Sequence, residues 1–373
     1  MRIALLLPCL EAGGAQRVAI TLAEQWHQAG HQVALITWSD GQSDFYALPP
    51  GIERFALGRS RASRGPWQAL CGNVQRLVAL RSLLGRQRLQ VVVAMMGTSA
   101  VLLALATLGR RRLVAIGSER IHPPLLPLGR LWGVLRWFGY GLLDAVVAQT
   151  APSAAWIRRH TLARRVAVIE NPLSPLLDHQ PQPLIPDDYL VLQDKLLLAV
   201  GRLDSQKGFD LLLEAFAPLA FQHPSWRLVI LGEGPERPAL EAQIQALGLG
   251  QVVLLPGRAG NVSEWYRRAD LFVLSSRFEG FPNVLAEAMA SGLAVVSTDC
   301  PTGPAAIVRD GVDGLLVPVD QPAALRQSLA RLMHDDALRV SMAQRACQLA
   351  DRLAPEVVAG RWQQLFAELG ARP

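Results

Sequence analysis

Residues 278–289 read FEGFPNVLAEAM, and two carboxylates, Glu279 and Glu287, stand on either side of a turn built from Gly280, Pro282 and Asn283. The apolar run before it, LFVLSS, reads as a strand. The residues from Val284 to about Ser291 read as a helix with Asn283 as its N-cap. The amides of Val284 and Leu285 would then be unpaired donors at the positive end of that helix, a place where a diphosphate fits. Glu279 could accept hydrogen bonds from neutral hydroxyls, and Glu287, one turn inside, from a ribose diol. A carboxylate near a helix N-terminus is favourable by itself, by a few tenths to ~1 kcal/mol. That accounts for Glu287 without a ligand, but not for Glu279 or the proline turn.

Four further strand-to-helix loops carry suggestive residues. VGRLDSQKGFD (200–210) holds Arg202 and Lys207, a fork and a point charge that together can grip a diphosphate. Lys207 is one of only two lysines in a chain that otherwise uses arginine. LGEGPE (231–236) brackets Glu233 with glycines, and PGR (256–258) places Arg258 after another strand. A tight turn and an exposed arginine are the plain alternatives for these two. PCLEAGGAQRV (8–18) sets Gly13 and Gly14 before a helix, where backbone amides can approach an anion. It lacks the GxGxxG spacing of a dinucleotide site, which disfavours an oxidoreductase. Glu119, Arg120 and His122 follow a strand in GSERIHP (117–123) and are candidates for acceptor or donor-phosphate contact.

Positioning these loops requires a repeated strand–loop–helix plan. Short apolar runs at 3–8, 32–37, 91–96, 113–118 and 145–150 alternate with helical patterns such as 15–29 and 72–85, and 166–171 closes this half. A proline-rich stretch, NPLSPLLDHQPQPLIPDD (171–188), reads as a linker. The alternation then resumes at 195–201, 227–232, 252–257, 269–276, 293–299 and 314–318, and 322–370 is mostly helical with a breaker at Pro355. Near-continuous apolar strands between helices imply parallel sheets covered on both faces. The expected fold class is α/β, with two doubly wound Rossmann-like domains facing across a cleft. The expected boundaries are 1–172, 173–350 and a C-terminal helix in 351–373 that can cross back to the first domain. Ligands are expected outside the carboxyl ends of the strands.

Composition bounds the rest. Half of the 373 residues are hydrophobic and 18% are charged, as in a compact globular chain. Four scattered cysteines and seven histidines show no metal-ligand spacing, so no metal is expected. Residues 1–8 are too short an apolar run for a secretory leader. The charge-free segment 91–109 approaches the ~20 residues of a membrane span, but its Gly97-Thr98-Ser99 turn chemistry favours strand, turn and helix. Residues 1–170 hold 20 basic and 8 acidic side chains, a balance of +12, against 17 and 23, a balance of −6, in 171–373. A basic first half implies a polyanion or an anionic membrane surface as partner. PPLLPLGRLWGVLRWFGYGLL (123–143) mixes aromatics with arginines and reads equally as an interfacial helix or a buried one.

Taken together, GGAQR, ENP, VGRLDSQKG, LGEGPE, FEGFPNVLAEAMASGLAVVSTD and GVDGLLV resemble the retaining GT-B glycosyltransferases of the group 1 and family four type, over nearly the whole length. The resemblance implies a nucleotide-sugar donor and no metal or other cofactor. By it, Arg202 and Lys207 hold the donor diphosphate and Glu279 the sugar. Glu287 holds the ribose, backbone at Gly14, Asn283, Val284 and Leu285 meets the phosphates, and Arg258 lies near the base. DCPTGP (299–304) and GSERIHP look like the branch that extends lipid-linked oligosaccharides, often with N-acetylgalactosamine or galactose donors. The implied partners are a UDP-sugar, a polyprenyl-diphosphate-linked glycan and an anionic membrane surface, with no nucleic acid. The implied location is peripheral on the cytoplasmic face of the plasma membrane. Ala306 departs from the family, where many relatives carry glutamate. A sugar-nucleotide epimerase and a non-catalytic nucleotide-sugar-binding subunit are the competing readings.

Overall fold

The computed structural model describes residues 1–11, 13–42, 44–58, 66–110, 112–125, 129–174 and 183–371, so the middle of the proline-rich linker and residues 126–128 lie outside the described residues. The chain divides into two compact units, Met1–Ser174 with Leu353–Pro373, and Pro175–Arg352.

The first unit is built on β1 (Arg2–Leu7), β2 (Gln32–Thr37), β3 (Glu53–Ala56), β4 (Val91–Met95), β5 (Val114–Ser118), β6 (Ala145–Ala148) and β7 (Val166–Val168). They form one sheet in the order β3-β2-β1-β4-β5-β6-β7, with parallel pairing throughout. Strand residues alternate between two cores. Ile3, Leu5, Leu7, Val91, Val93 and Met95 face one layer, while Ala4, Leu6, Val92 and Ala94 face the other. That is the two-residue period of a sheet buried on both sides. The first layer is closed by the helix Gly14–Gln28 and by Pro355–Glu368, whose Trp362 and Phe366 rings sit 6.3 and 5.3 Å from Trp26.

The second unit has β8 (Lys195–Val200), β9 (Trp226–Leu231), β10 (Val253–Gly257), β11 (Leu271–Leu274), β12 (Val295–Thr298) and β13 (Leu315–Val317). Their order is β10-β9-β8-β11-β12-β13, again all parallel. The strand order reverses between β8 and β11, the position at whose carboxyl edge open α/β sheets bind ligands. Arg202, Glu233, Arg258 and Glu279 follow β8, β9, β10 and β11 respectively, which puts all four on that one edge.

Three local expectations are corrected. Residues 97–99 are the first turn of the helix Gly97–Ala106 rather than a turn before it, and the break falls on Met96, whose φ is +78°. The helix expected from Val284 begins at Asn283, and the capping position belongs to Pro282. Asn283 is therefore not the N-cap. Leu285 N–H is not an open donor either, because it bonds the Pro282 carbonyl at 3.0 Å. The break expected at Pro355 is present: the helix Leu349–Arg352 ends before it, and Pro355 opens the last helix, where its missing N–H costs nothing. β3 was not anticipated: it is an edge strand, half exposed and carrying Glu53 and Arg54, so it offers no apolar run.

The β8 and β11 loops are laced together. Arg277 N–H donates to the Gln206 carbonyl at 2.8 Å, Gln206 Nε2 to the Phe278 carbonyl at 2.9 Å, and Ser275 Oγ to the Lys207 carbonyl at 2.9 Å. Arg277 also clamps Asp210 with bonds of 2.9 and 2.6 Å. Between these loops lies Gly208, at φ +61°, where a Cβ would stand 2.3 Å from the Ser275 carbonyl oxygen. Both its left-handed backbone and its close approach demand glycine.

Gly208→Ala is expected to cost ~2 kcal/mol or more, read as a fall in the denaturant midpoint; an unchanged midpoint would contradict the lacing. The Arg277 bond holds the Asp210 carboxyl below its ordinary value of 3.8. Its stabilisation is therefore complete above that ordinary value and is lost as pH falls through the lowered native one. Half-exposed as it is, the pair contributes about 0.5–1 kcal/mol. Asp210→Asn should lower the melting temperature at neutral pH, and the difference from wild type should vanish in acid below the carboxylate range. A gap that persists there would assign the loss to something other than this charge.

Candidate functional site

The centre of the second unit's carboxyl edge is a nearly buried ion pair. Lys207 Nζ meets Glu279 Oε1 at 2.6 Å, with side-chain exposures of 16% and 7%. Ser276 Oγ donates to the same oxygen at 2.7 Å. Ser276 is itself anchored, because Thr298 Oγ1 at the end of β12 bonds its carbonyl at 2.5 Å. The loop after β12 completes the enclosure. Thr302 Oγ1 donates to the Glu279 carbonyl at 2.9 Å, and Thr302 holds a φ of +87°, an unusual conformation for a β-branched residue. Cys300 is buried beside these groups, and burial first, then the Glu279 charge, push its thiol up to about 12. It is an inert neighbour rather than a nucleophile.

The site's second carboxylate sits on the helix that follows. Glu287 is buried, and Tyr266 Oη lies 3.2 Å from its Oε2. The same hydroxyl donates to the Val284 carbonyl at 3.3 Å, which ties the carboxylate to the first turn of its helix. Val284 and Leu285 form that first turn with Asn283.

The remaining edge residues are less concentrated. Arg202 is exposed, and its Nε is 3.8 Å from Asp204, so it reaches solvent from the same loop that buries Lys207. Glu233 pairs with Arg237 at 2.6 and 2.9 Å, and these bonds hold its carboxyl below the ordinary range, with a further contribution from the Arg258 charge. Lys207 and Glu279 are thus brought into contact, Glu287 is fixed by Tyr266, and Arg202 and Glu233 face outward on the same edge. Ser276, Thr298 and Thr302 were missed from the sequence. Their only signal was small hydroxyl residues at strand ends, which is too common to single out.

In the first unit, Gly14 opens the helix Gly14–Gln28 and is exposed. The three candidates after β5 do not form one constellation. Glu119 is buried, accepts a short hydrogen bond from Tyr140, and lies 3.8 Å from Arg136; burial outweighs both partners and raises its carboxyl. Arg120 is buried the other way, donating to Asn171 Oδ1 at 2.6 Å and to the Met95 sulfur, and burial lowers its guanidinium to about 9. His122 meets Ser153 Oγ at 3.0 Å. Glu119, Arg120 and Arg136 line a cavity of about 60 Å³ with Met96, Gly97 and Thr98. In the segment 123–143, the described helix has one face buried and another exposed. The helix Gly129–Gly139 buries Arg136 and packs Trp132 and Leu135 inward, while Leu131, Val134, Trp137 and Phe138 are exposed. Among the described residues no helix is long and apolar enough to cross a membrane, and no cluster of His, Cys, Asp and Glu is placed to hold a metal.

Two family models cover most of the chain. Glycosyltransferase Family 4 matches residues 12–175, and Glycosyl transferases group 1 matches residues 184–348. The chain is 27% identical to a Campylobacter jejuni GalNAc-alpha-(1->4)-GalNAc-alpha-(1->3)-diNAcBac-PP-undecaprenol alpha-1,4-N-acetyl-D-galactosaminyltransferase, over 99% of both proteins. It is 41% identical to a second N-acetylgalactosaminyltransferase of that organism, over 40% of each. Over 62% of its length it is 37% identical to an exopolysaccharide phosphotransferase of Streptomyces coelicolor, of which the match spans only 24%. The fold is that of a sucrose-phosphate synthase from Thermosynechococcus elongatus, with a TM-score of 0.81 at 20% identity, covering 99% of this chain and 98% of that one. It is likewise that of an Anabaena protein solved with UDP and glucose, with a TM-score of 0.76 at 20% identity, covering 99% and 100%. With both of its Rossmann-like units matched in turn, the chain belongs to the GT-B glycosyltransferases of the group 1 and family 4 type.

Proposed function

We propose that the protein is a retaining glycosyltransferase that moves a hexose or N-acetylhexosamine from a UDP-sugar to a polyprenyl-diphosphate-linked oligosaccharide, without a metal, in the assembly of surface or glycoprotein glycans. The observation that carries this reading is the Lys207–Glu279 pair at the strand-order reversal of the second sheet. An ammonium has three donors. One is spent on Glu279, which leaves two for the oxygens of a diphosphate arriving at the same loop. The carboxylate in turn has lone pairs to spare for sugar hydroxyls. A departing nucleoside diphosphate needs its growing charge stabilised by groups already in place, and a cation held rigidly by a buried carboxylate is such a group.

On this reading Lys207 and Arg202 neutralise the leaving group, and Glu279 positions the sugar. Glu287 takes the ribose, the backbone of Asn283 and Val284 meets the phosphates, Glu233 contacts the donor, and Arg258 borders the base. Glu119, Arg120 and His122 are assigned to the acceptor or to the donor phosphates. No side chain is assigned as nucleophile, because the leaving phosphate can take the acceptor's proton on the same face. The full-length likeness to an enzyme named for an undecaprenyl-diphosphate glycan supports the acceptor class. It also supports peripheral work at the cytoplasmic face of the membrane.

UDP-sugars should raise the melting temperature of the purified protein, and GDP- and ADP-sugars should do so less. Glu279→Gln and Lys207→Ala should each lower transfer by about a hundredfold or more while the fold survives. Wild-type rates in both variants would sink the assignment. Conversion of the donor in the absence of acceptor would point to an epimerase instead, and donor binding without turnover to a non-catalytic subunit.

A further inference from the structure

The first unit carries an exposed apolar surface that the donor site does not use. The helix Pro66–Arg86 buries Leu80 and Leu84 in the sheet-side core, with Leu77 and Leu83 packed alongside. On another face it exposes Trp67 at 78%, Leu70 at 53%, Val74 at 52% and Val78 at 62%. At ~100° per residue these four fall within about 80° of arc. The helix Gly129–Gly139 does the same with Leu131 at 68%, Val134 at 63% and Phe138 at 50%. Both helices pack against one helix, Gly97–Ala106, on the same side of the first sheet. Two arginines fix this layer: Arg81 donates to the Ala106 and Leu108 carbonyls, and Arg110 to those of Leu84 and Arg81.

Charge identifies the occupant. From residue 54 to residue 118 the chain has eleven arginines and no Asp or Glu, and neither of the two helices contains an acidic residue. Arg86, Arg88, Arg112 and Arg130 are exposed. A second copy of the chain is disfavoured, because a twofold contact would set this basic surface against itself. An anionic bilayer satisfies both halves of the pattern, with apolar side chains entering the acyl boundary and guanidiniums on lipid phosphates.

We infer that the helices Pro66–Arg86 and Gly129–Gly139 form a two-helix platform that seats the first unit on an anionic lipid surface. The inference rests on the glycosyltransferase reading only in making a membrane the place of work. The helix Pro66–Arg86, which no membrane expectation included, contributes Trp67, Leu70, Val74 and Val78 to the apolar contact.

The test is sedimentation of the full chain with vesicles of phosphatidylcholine alone or mixed with phosphatidylglycerol. Binding should require phosphatidylglycerol and weaken with salt. The double variants Trp67→Ser/Val74→Ser and Val134→Ser/Phe138→Ser should each reduce partitioning by about tenfold or more, with melting temperature and the UDP-sugar shift unchanged. Indifference of the wild type to these vesicles would overturn the platform, as it would if the true occupant were an acidic protein. So would wild-type partitioning by both variants, or a dimer in solution that the variants dissociate. Vesicle binding without any nucleotide-sugar shift would sink the functional reading and leave the platform standing.

Discussion

Everything at the second unit's carboxyl edge depends on keeping an ammonium and a carboxylate together almost out of water. Lys207 and Glu279 belong to loops seventy-two residues apart, and each would be costly to bury alone. Their partnership is possible because the two loops share hydrogen bonds through Gln206, Ser275 and Arg277 and because glycine at 208 lets the chains touch. The hydroxyl of Ser276 then removes rotational freedom from the carboxylate. Such a pair adds little net stability, because the desolvation cost roughly cancels the attraction. What it provides is a cation and an acceptor fixed in position before any substrate arrives.

That economy explains why the surrounding residues are unusual. Thr302 accepts an unfavourable backbone angle to reach the Glu279 carbonyl, and Cys300 sits as a buried, protonated thiol beside the pair. Strain of this sort persists only where neighbours over-determine the conformation. The first unit handles its buried charges differently. Glu119 is held by Tyr140 and Arg136, while Arg120 donates to the Asn171 amide oxygen and the Met95 sulfur. Adjacent in sequence, the two side chains leave the strand end toward opposite partners.

Much of the architecture was legible because the strands are buried on both faces. Among the described residues, twelve of the thirteen strands, all but β3, announce themselves as short apolar runs, and parallel pairing follows from the helices between them. β3 escaped because an edge strand bearing Glu53 and Arg54 has no such run. Side-chain contacts were legible only where residue types are scarce. A lone loop lysine stood out, and its contact with Glu279 is a tertiary fact that spacing does not encode. Ser276 was invisible for the opposite reason, since a serine at a strand end is commonplace, and Tyr266 because it lies inside the helix Val262–Arg268 rather than in a strand-to-helix loop. Asn283 misled because its capping propensity is real, yet the proline turn starts the helix one residue sooner.

The helix Pro355–Glu368 packs Trp362 and Phe366 on Trp26, and so the first unit is assembled from segments on either side of the second. On a ribosome, Trp26 emerges more than three hundred residues before its aromatic partners. The second unit is complete before they appear. For that interval the earliest-made sheet must wait with one apolar layer covered only in part, the kind of surface on which nascent chains aggregate or recruit chaperones. Completion of the first unit is thereby tied to synthesis of the helix Pro355–Glu368.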